Sequence, residues 1–196
     1  MAKSYLPIQT ERLVLRCFER SDLNAVIGYH ALPDVQRYLD WKARDRVECK
    51  HAVEMMTSQV SLNRPGDMLT LALVRRADDE LMGQISLRWS DATASQAEIR
   101  FLLSTPYRRK GYASEAVRAM IELGFDHFHF HRIFARCDAR NRASAQLMRK
   151  LGMRLEAHFR EHALFQGEWD DELHFAVLDR EWRRAVQIRE FHRQVA

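Results

Sequence analysis

No stretch of this 196-residue chain approaches the roughly 20 apolar residues that a membrane-spanning helix requires. The opening residues Met1-Ala2-Lys3-Ser4-Tyr5 lack the apolar stretch of a secretory signal. Cysteine is scarce: Cys17, Cys49 and Cys137 stand far apart, are odd in number and form no C-x-x-C pair. That pattern reads as free thiols in a reducing compartment, so a cytoplasmic protein away from membranes is expected. No repeat, low-complexity segment or Pro/Gly/Ser-rich linker interrupts residues 1–196, and one domain is expected. Lysine occurs only at 3, 42, 50, 110 and 150, so arginine carries most of the formal net charge of +4. The arginines are scattered, the longest basic run is Arg108-Arg109-Lys110, and no platform of stacking aromatics is present. This argues against a nucleic-acid groove and for a local anion site.

What is there is ordinary globular composition, 46% apolar and 30% charged. A chain of this size can bury a core without disulfides or metal. Leu13-Val14-Leu15 reads as a first strand. Ser21-Asp22 reads as a helix N-cap opening a helical region to about Leu39. Ala52, Met55, Met56, Gln59 and Val60 have the spacing of a second helix, stopped by Pro65-Gly66. Met68 to Val74 is a continuous apolar run, as in a strand covered on both faces. After a turn at 77–80, Gly83 to Trp89 and Ile99 to Leu103 alternate as strands, the latter ending at Thr105-Pro106. Ala116, Val117, Met120, Ile121 and Phe125 share a helix face, and Ile133, Ala135 and Cys137 mark a strand. Asn141 opens a short helix ending at Gly152. Strands at about 154–164 and 171–178 precede a tail helix with Trp182, Ala185, Ile188, Phe191 and Val195 at helical spacing. The order predicts an α/β (α+β) fold: a mixed, mostly antiparallel sheet of about seven strands flanked by helices.

The segment from Glu98 to Leu151 is the most informative. A strand ends at a proline, a basic loop containing Gly111 follows, and a helix starts inside that loop. The first amides of a helix lack intrahelical partners and suit a phosphate, which glycine lets approach closely. Arg108, Arg109 and Lys110 add charge, so a pyrophosphate is the expected guest. Arg108, Gly111 and Ala113 fill the fixed positions of [QR]-x-x-G-x-[GA], the acyl-CoA-binding signature of the GNAT superfamily of N-acetyltransferases, which this stretch resembles. Ala97 to Pro106 is similar to that family's fourth strand, and Asn141-x-x-Ser144 with Leu151-Gly152-Met153 to its N-x-x-S…L-G-F element. Thr10-Glu11-Arg12-Leu13-Val14-Leu15-Arg16 and Gly167-Glu168-Trp169-Asp170-Asp171 resemble the opening and the late hairpin of the ribosomal-protein N-terminal acetyltransferase branch.

The resemblance implies acetyl transfer from acetyl-CoA to an amine, on a protein N-terminus or a small molecule, with the fourth strand splayed from the fifth. It places Arg108, Arg109, Lys110, Gly111, Tyr112, Ala113 and Ser114 on the cofactor, and the backbone of Phe101, Leu102 and Leu103 on the pantetheine arm. The Leu102 or Leu103 amide would hold the oxyanion. Such chemistry needs a neutral amine and a proton acceptor. Glu98, on the face opposite Ile99, Phe101 and Leu103, is the candidate base, or else pairs with Arg100 or another arginine. Ser144 is the candidate acid near the sulfur, or a first-turn serine facing water. Relatives with a tyrosine acid carry it seven positions after the asparagine, where this chain has Met148. Asn141 caps its helix or bonds the pantetheine.

Tyr38, Asp40 and Trp41 are candidate acceptor contacts, since an aromatic beside a carboxylate suits an ammonium group, or else they pack the helices. Asp170 and Asp171 do the same from the hairpin or are turn residues. His127, His129 and His131 suggest metal by composition but lack ligand spacing, and no metal is expected. The tail helix is a candidate homodimer surface or a cover for the core. Alternatives on the same fold are an acyltransferase using another acyl-CoA, such as succinyl-CoA, and a non-catalytic acyl-CoA sensor.

Overall fold

Eight strands join in one sheet: β1 (Ile8–Gln9), β2 (Leu13–Cys17), β3 (Met68–Arg75), β4 (Glu80–Asp91), β5 (Gln96–Leu103), β6 (Arg132–Asp138), β7 (Arg154–Phe165) and β8 (Glu168–Leu178). The helices are α1 (Leu23–His30), α2 (Pro33–Gln36), α3 (Arg46–Ser58), α4 (Tyr112–Asp126), α5 (Arg142–Lys150) and α6 (Asp179–Val195). The structure is a computed structural model and describes residues 5–38, 45–165 and 167–195. The spatial order is β1-β2-β3-β4-β5-β6-β8-β7. Every neighbouring pair is antiparallel except β5 and β6, which α4 connects as a crossover.

The eighth strand is β1, which pairs Ile8 with Leu15 and Gln9 with Val14. Two residues are too few to show alternation, so the sequence pattern does not reveal it. The helical region expected after Ser21 is broken. A 3-10 turn at Arg20–Asp22 leads into α1, then Leu32 is extended before Pro33 opens α2. Proline disfavours helical backbone in the residue before it, which explains the break. The second helix starts earlier than the apolar spacing suggested, at Arg46. Asp45 accepts from the Glu48 N–H and Glu48 returns the bond to the Asp45 N–H, a capping box.

Alternating side chains divide the core between the two faces of the sheet. Leu71 and Leu73 of β3, Ile85 and Leu87 of β4, Ala97, Ile99 and Leu103 of β5 and Leu173, Phe175 and Val177 of β8 pack with α4, α5 and Trp182 of α6. Ala72 and Val74 of β3 and Leu102 of β5 pack on the other face with Val26, Tyr29, Val35, Val53 and Met56 from α1, α2 and α3. That double cover explains the uninterrupted apolar run of β3. On α6, Trp182 is buried, whereas Ile188 and Phe191 are exposed.

Two glycines differ sharply in what surrounds them. A methyl added at Gly83 would lie 2.2 Å from the Leu102 carbonyl oxygen, a backbone atom unable to swing aside. Gly83 therefore sets how closely β4 approaches β5. At Gly28, within α1, an added methyl meets nothing within 4 Å. Gly83→Ala should lower the unfolding free energy by roughly 1–3 kcal/mol through overpacking. Gly28→Ala should raise it by about 0.5–1 kcal/mol, because alanine loses less backbone entropy in a helix. Urea titrations of both variants check this, and shifts of the same sign would contradict the packing.

Candidate active site

β5 and β6 pair only at Gln96–Arg132, Ala97–Ile133 and Glu98–Phe134, although β5 continues to Leu103 and β6 to Asp138. Beyond that point the strands diverge, as expected for the fourth and fifth strands counted from Leu13. The other edge of β5 stays paired with β4. The Ser104 N–H donates to the Met82 carbonyl (2.8 Å). Backbone groups alternate sides along an antiparallel strand, so Arg100 and Leu102 also turn toward β4, while Phe101 and Leu103 turn toward the gap. The Leu103 carbonyl accepts from Arg108 Nε (3.0 Å). The gap is thus lined by the N–H and C=O of Phe101 and the N–H of Leu103. This corrects one expectation: the Leu102 amide belongs to the sheet and does not face the gap.

Past β5, a single 3-10 turn at Thr105–Tyr107 leads to the basic loop. Gly111 is the N-cap of α4 with a left-handed φ of +86°, and no side chain caps this helix. Tyr112, Ala113 and Ser114 form the first turn, where amides have no intrahelical partner. The Glu115 N–H is the first to bond back, to the Gly111 carbonyl (3.1 Å). Arg109 is also left-handed (φ +60°). Arg109 and Lys110 are exposed and form no ion pair among the described residues. Arg108 differs from expectation. Its Nη atoms approach the Asp34 carbonyl (3.3 and 3.4 Å) while its Nε holds Leu103, so it braces α2 against the end of β5. Its charge is directed at carbonyls, which leaves Arg109 and Lys110 as the cations of the loop.

A clamp not foreseen in the sequence holds this loop to the N-terminal strands. The Glu115 carboxylate accepts from Thr10 Oγ1 (2.6 Å), the Arg12 N–H (2.7 Å) and Arg12 Nε (2.8 Å). Arg12 Nη1 donates to the Lys110 carbonyl (2.9 Å), and the guanidinium lies over the Tyr112 ring (4.7 Å). A Cβ at position 111 would come 3.0 Å from Arg12 Nη2, a second reason for glycine there. Thr10 and Arg12 stand in the opening motif, but nothing in the sequence shows that they meet Glu115.

Glu98 sits at the last paired position and is 2% exposed. Its Oε1 accepts from Arg100 Nε and from Arg136 Nε, both at 2.9 Å, and Oε2 accepts from Arg100 Nη2 (3.3 Å). Burial pushes this carboxyl up, but the hydrogen bonds and charges of Arg136 and Arg100 outweigh it and hold it below its ordinary value. The arginine pairing named as the alternative to a base role is the one formed, and a carboxylate held this way is a weak proton acceptor.

On α5, the Asn141 Oδ1 accepts from the Ser144 N–H (3.1 Å), which leaves the Asn141 amide N–H groups for another partner. The Ser144 hydroxyl makes no hydrogen bond among the described residues and is half-buried. Met148 is 1% exposed inside the α4-side core, so that position offers no group to the gap. Cys137 lies on β6 beside the gap. Burial, with Asp138 and Glu172 nearby, pushes its thiol up to about 12, so it carries no thiolate at neutral pH.

Tyr38 and Asp171 line one cavity of about 560 Å³ together with Arg37, Ala139, Arg142 and Trp169. Its lining comes from residues just after α2, from the segment between β6 and the start of α5, and from β8. Asp171 accepts from the Glu161 N–H and pairs with His158, each at 2.9 Å. Asp170 alternates to the opposite face of β8, 3.7 Å from His162 Nδ1, and does not join Asp171. Asp40 and Trp41 lie outside the described residues. His127 packs on the Tyr5 ring (4.2 Å) at the end of α4, and no group of three metal-ligating side chains forms among the described residues.

The acetyltransferase (GNAT) domain family matches residues 12–154 of this chain. An uncharacterized N-acetyltransferase of Bacillus subtilis (strain 168), YnaD, is 33% identical over 89% of this chain and 98% of its own length. The spermidine N(1)-acetyltransferase of Escherichia coli (strain K12) is 22% identical over 86% of this chain and 87% of its own. The crystal structure of a GNAT-family acetyltransferase from Bacillus anthracis superposes with a TM-score of 0.79 at 30% identity, covering 88% of this chain and 98% of that one.

The clamp has a pH signature. Burial pushes the Glu115 carboxyl up, but bonds from Thr10 and Arg12 outweigh it and hold the group below its ordinary value. A depressed folded-state value stabilises at neutral pH, and that contribution disappears as pH falls through it. Glu115→Gln should lower the unfolding free energy by about 1–3 kcal/mol at neutral pH. The gap to the unmodified protein should close as pH drops below the ordinary carboxyl value of about 4.3. Urea unfolding at a series of pH values measures it, and a gap independent of pH would count against the clamp.

Proposed function

The chain belongs to the GNAT acetyltransferase family, and we propose that it moves the acetyl group of acetyl-CoA to a primary amine on a protein N-terminus or a small molecule. The observation that carries this reading is the gap between β5 and β6 opening directly onto the uncapped first turn of α4. A pyrophosphate suits that turn, where unpartnered amides, the helix dipole, Arg109 and Lys110 all favour negative charge. The pantetheine arm then runs along β5 as an extra strand, bonding the Phe101 N–H and C=O. Asn141 uses its oxygen as a cap, which leaves its amide N–H groups to donate to the arm.

The chemistry follows from the same frame. The amine attacks the thioester carbon, and the carbonyl electron pair moves to oxygen. With the Phe101 N–H given to the pantetheine arm, the Leu103 amide is the donor for this oxyanion. When the intermediate collapses, the C–S bond breaks and the thiolate takes a proton, for which the half-buried Ser144 hydroxyl is the nearest candidate on α5. The high pKa of Cys137 favours direct transfer over an acyl-cysteine intermediate. The cavity bordered by Tyr38, Trp169 and Asp171 is the entry this reading gives the acceptor.

Gly111→Asp tests the assignment, since it adds a side chain and a negative charge where backbone must meet phosphate and forces a left-handed residue to carry a Cβ. Calorimetry should show CoA affinity at least about tenfold weaker, the order of one lost charge-assisted contact. Unchanged affinity in the folded variant would remove the pyrophosphate from this turn. Thiol release from acetyl-CoA in the presence of polyamines, amino acids and N-terminal peptides then identifies the acceptor.

A further inference from the structure

The Glu98 pairing leaves the amine proton without an acceptor, and the face of the sheet that carries Glu98 supplies another. His174 on β8 is the register partner of Arg136 on β6, and Arg136 is the residue that holds Glu98 at the strand junction. Leu173 and Phe175 point to the α4 side, so His174 points to the opposite face with Glu98, Arg100 and Arg136. Its Nε2 lies 2.6 Å from Glu172 Oε1. An ionised carboxylate only accepts, so Nε2 is the donor of this bond, and in the neutral form of the ring the lone pair then lies on Nδ1. Nδ1 makes no hydrogen bond among the described residues. The Phe159 ring packs against the imidazole at 4.7 Å and 63°, fixing its plane. A carboxylate that orients an imidazole whose other nitrogen is open is the arrangement of a general base.

We propose that His174, oriented by Glu172 and Phe159, takes the proton of the acceptor amine from the face of the sheet opposite α4. This rests on the acetyl-transfer reading above and names the proton acceptor which that reading lacks. The balance is simple. As the C–N bond forms, the nitrogen loses one proton to Nδ1 and the ring becomes an imidazolium. As the C–S bond breaks, sulfur keeps the electron pair and gains one proton, and the imidazolium returns its own to solvent. Glu98 holds Arg136 in place, and Arg136 Nη1 stands 3.6 Å from the Glu172 oxygen.

Among the described residues, the charged groups on the face of His174 come from its own strand and from β5, β6 and β7. Glu172 and Asp170 share its own strand, Arg136 and Asp138 lie on β6, and Glu98 with Arg100 lies on β5. On β7, His162 stands 3.8 Å from Glu172 Oε1 and 3.7 Å from Asp170, both beyond hydrogen-bond distance. His162 is therefore not oriented as His174 is, and His162→Gln serves as the control.

His174→Gln keeps an amide N–H where Nε2–H stood, so the bond to Glu172 survives while the base is lost. With acetyl-CoA and spermidine, glycine or a serine-initiated tripeptide as probes, thiol release should fall by roughly 10²–10⁴ in kcat, with KM for acetyl-CoA unchanged. The rate of the variant should rise with pH in step with the free amine, without the histidine-like break of the unmodified protein. His162→Gln should keep the unmodified pH profile. Nitrogen-15 spectra should show His174 at pH 8 as the Nε2–H tautomer. An unchanged kcat and pH profile in His174→Gln, or an Nδ1–H tautomer, would overturn the proposal. No CoA binding in calorimetry, or no thiol release from the unmodified protein with any probe, would instead strike the acetyl-transfer reading, and the tautomer would still judge the dyad.

Discussion

Glu98 accepts from Arg100 on its own strand and from Arg136 on the next, at the last position where β5 and β6 pair. The ion pair is buried, and a buried charge persists only when its partners satisfy it. It therefore ties the two strands where their ladder ends and lets them separate beyond. The backbone edge that the proposed acyl carrier would use lies past that junction. The unpaired backbone of Phe101 and Leu103 borders the opening, and Arg136 and Asp138 border it from β6. Had the ladder continued, those groups would have bonded each other, and the sheet would have had no internal edge to offer.

The opening needs a second fixed point, which the basic loop supplies. Arg108 ties the end of β5 to α2, and the Arg12–Glu115 clamp ties the first turn of α4 to the β1–β2 connection. Both contacts join residues far apart in the chain. The uncapped helix start is thus held on two sides while its own amides stay available. In this division of labour the arginine braces, the glycine turns and the helix amides stay uncapped.

Much of this was legible beforehand. The apolar run of β3, the alternation of β4 and β5, the proline stop and the loop leading into α4 were all written in local pattern, and they fell where expected. The short β1 was not, because two residues carry no periodicity. The break before Pro33 was available from the steric rule for residues preceding proline, but the apolar spacing masked it. Among candidate site residues, Asn141 and Gly111 occupy the local roles that their types suggested. Glu98 reads from the sequence as a base or an ion-pair partner, and the three-dimensional neighbours supply the ion pair. Arg136 and Arg100 are ordinary strand arginines until the sheet brings both onto one carboxylate.

The sequence by itself determined the class of fold and the position of the loop, since each follows from short-range sterics and periodicity. Tertiary structure alone decided which amides face the gap, because that depends on the register of β5 against β4. It also decided that Arg108 faces carbonyls, that Thr10 and Arg12 grip Glu115, and that Asp170 and Asp171 part to opposite faces. His174 is the plainest case. Glu172 lies two residues away on the same strand, but the register with Arg136 and the Phe159 ring come from other strands, because strand pairing sets side chains from distant segments side by side.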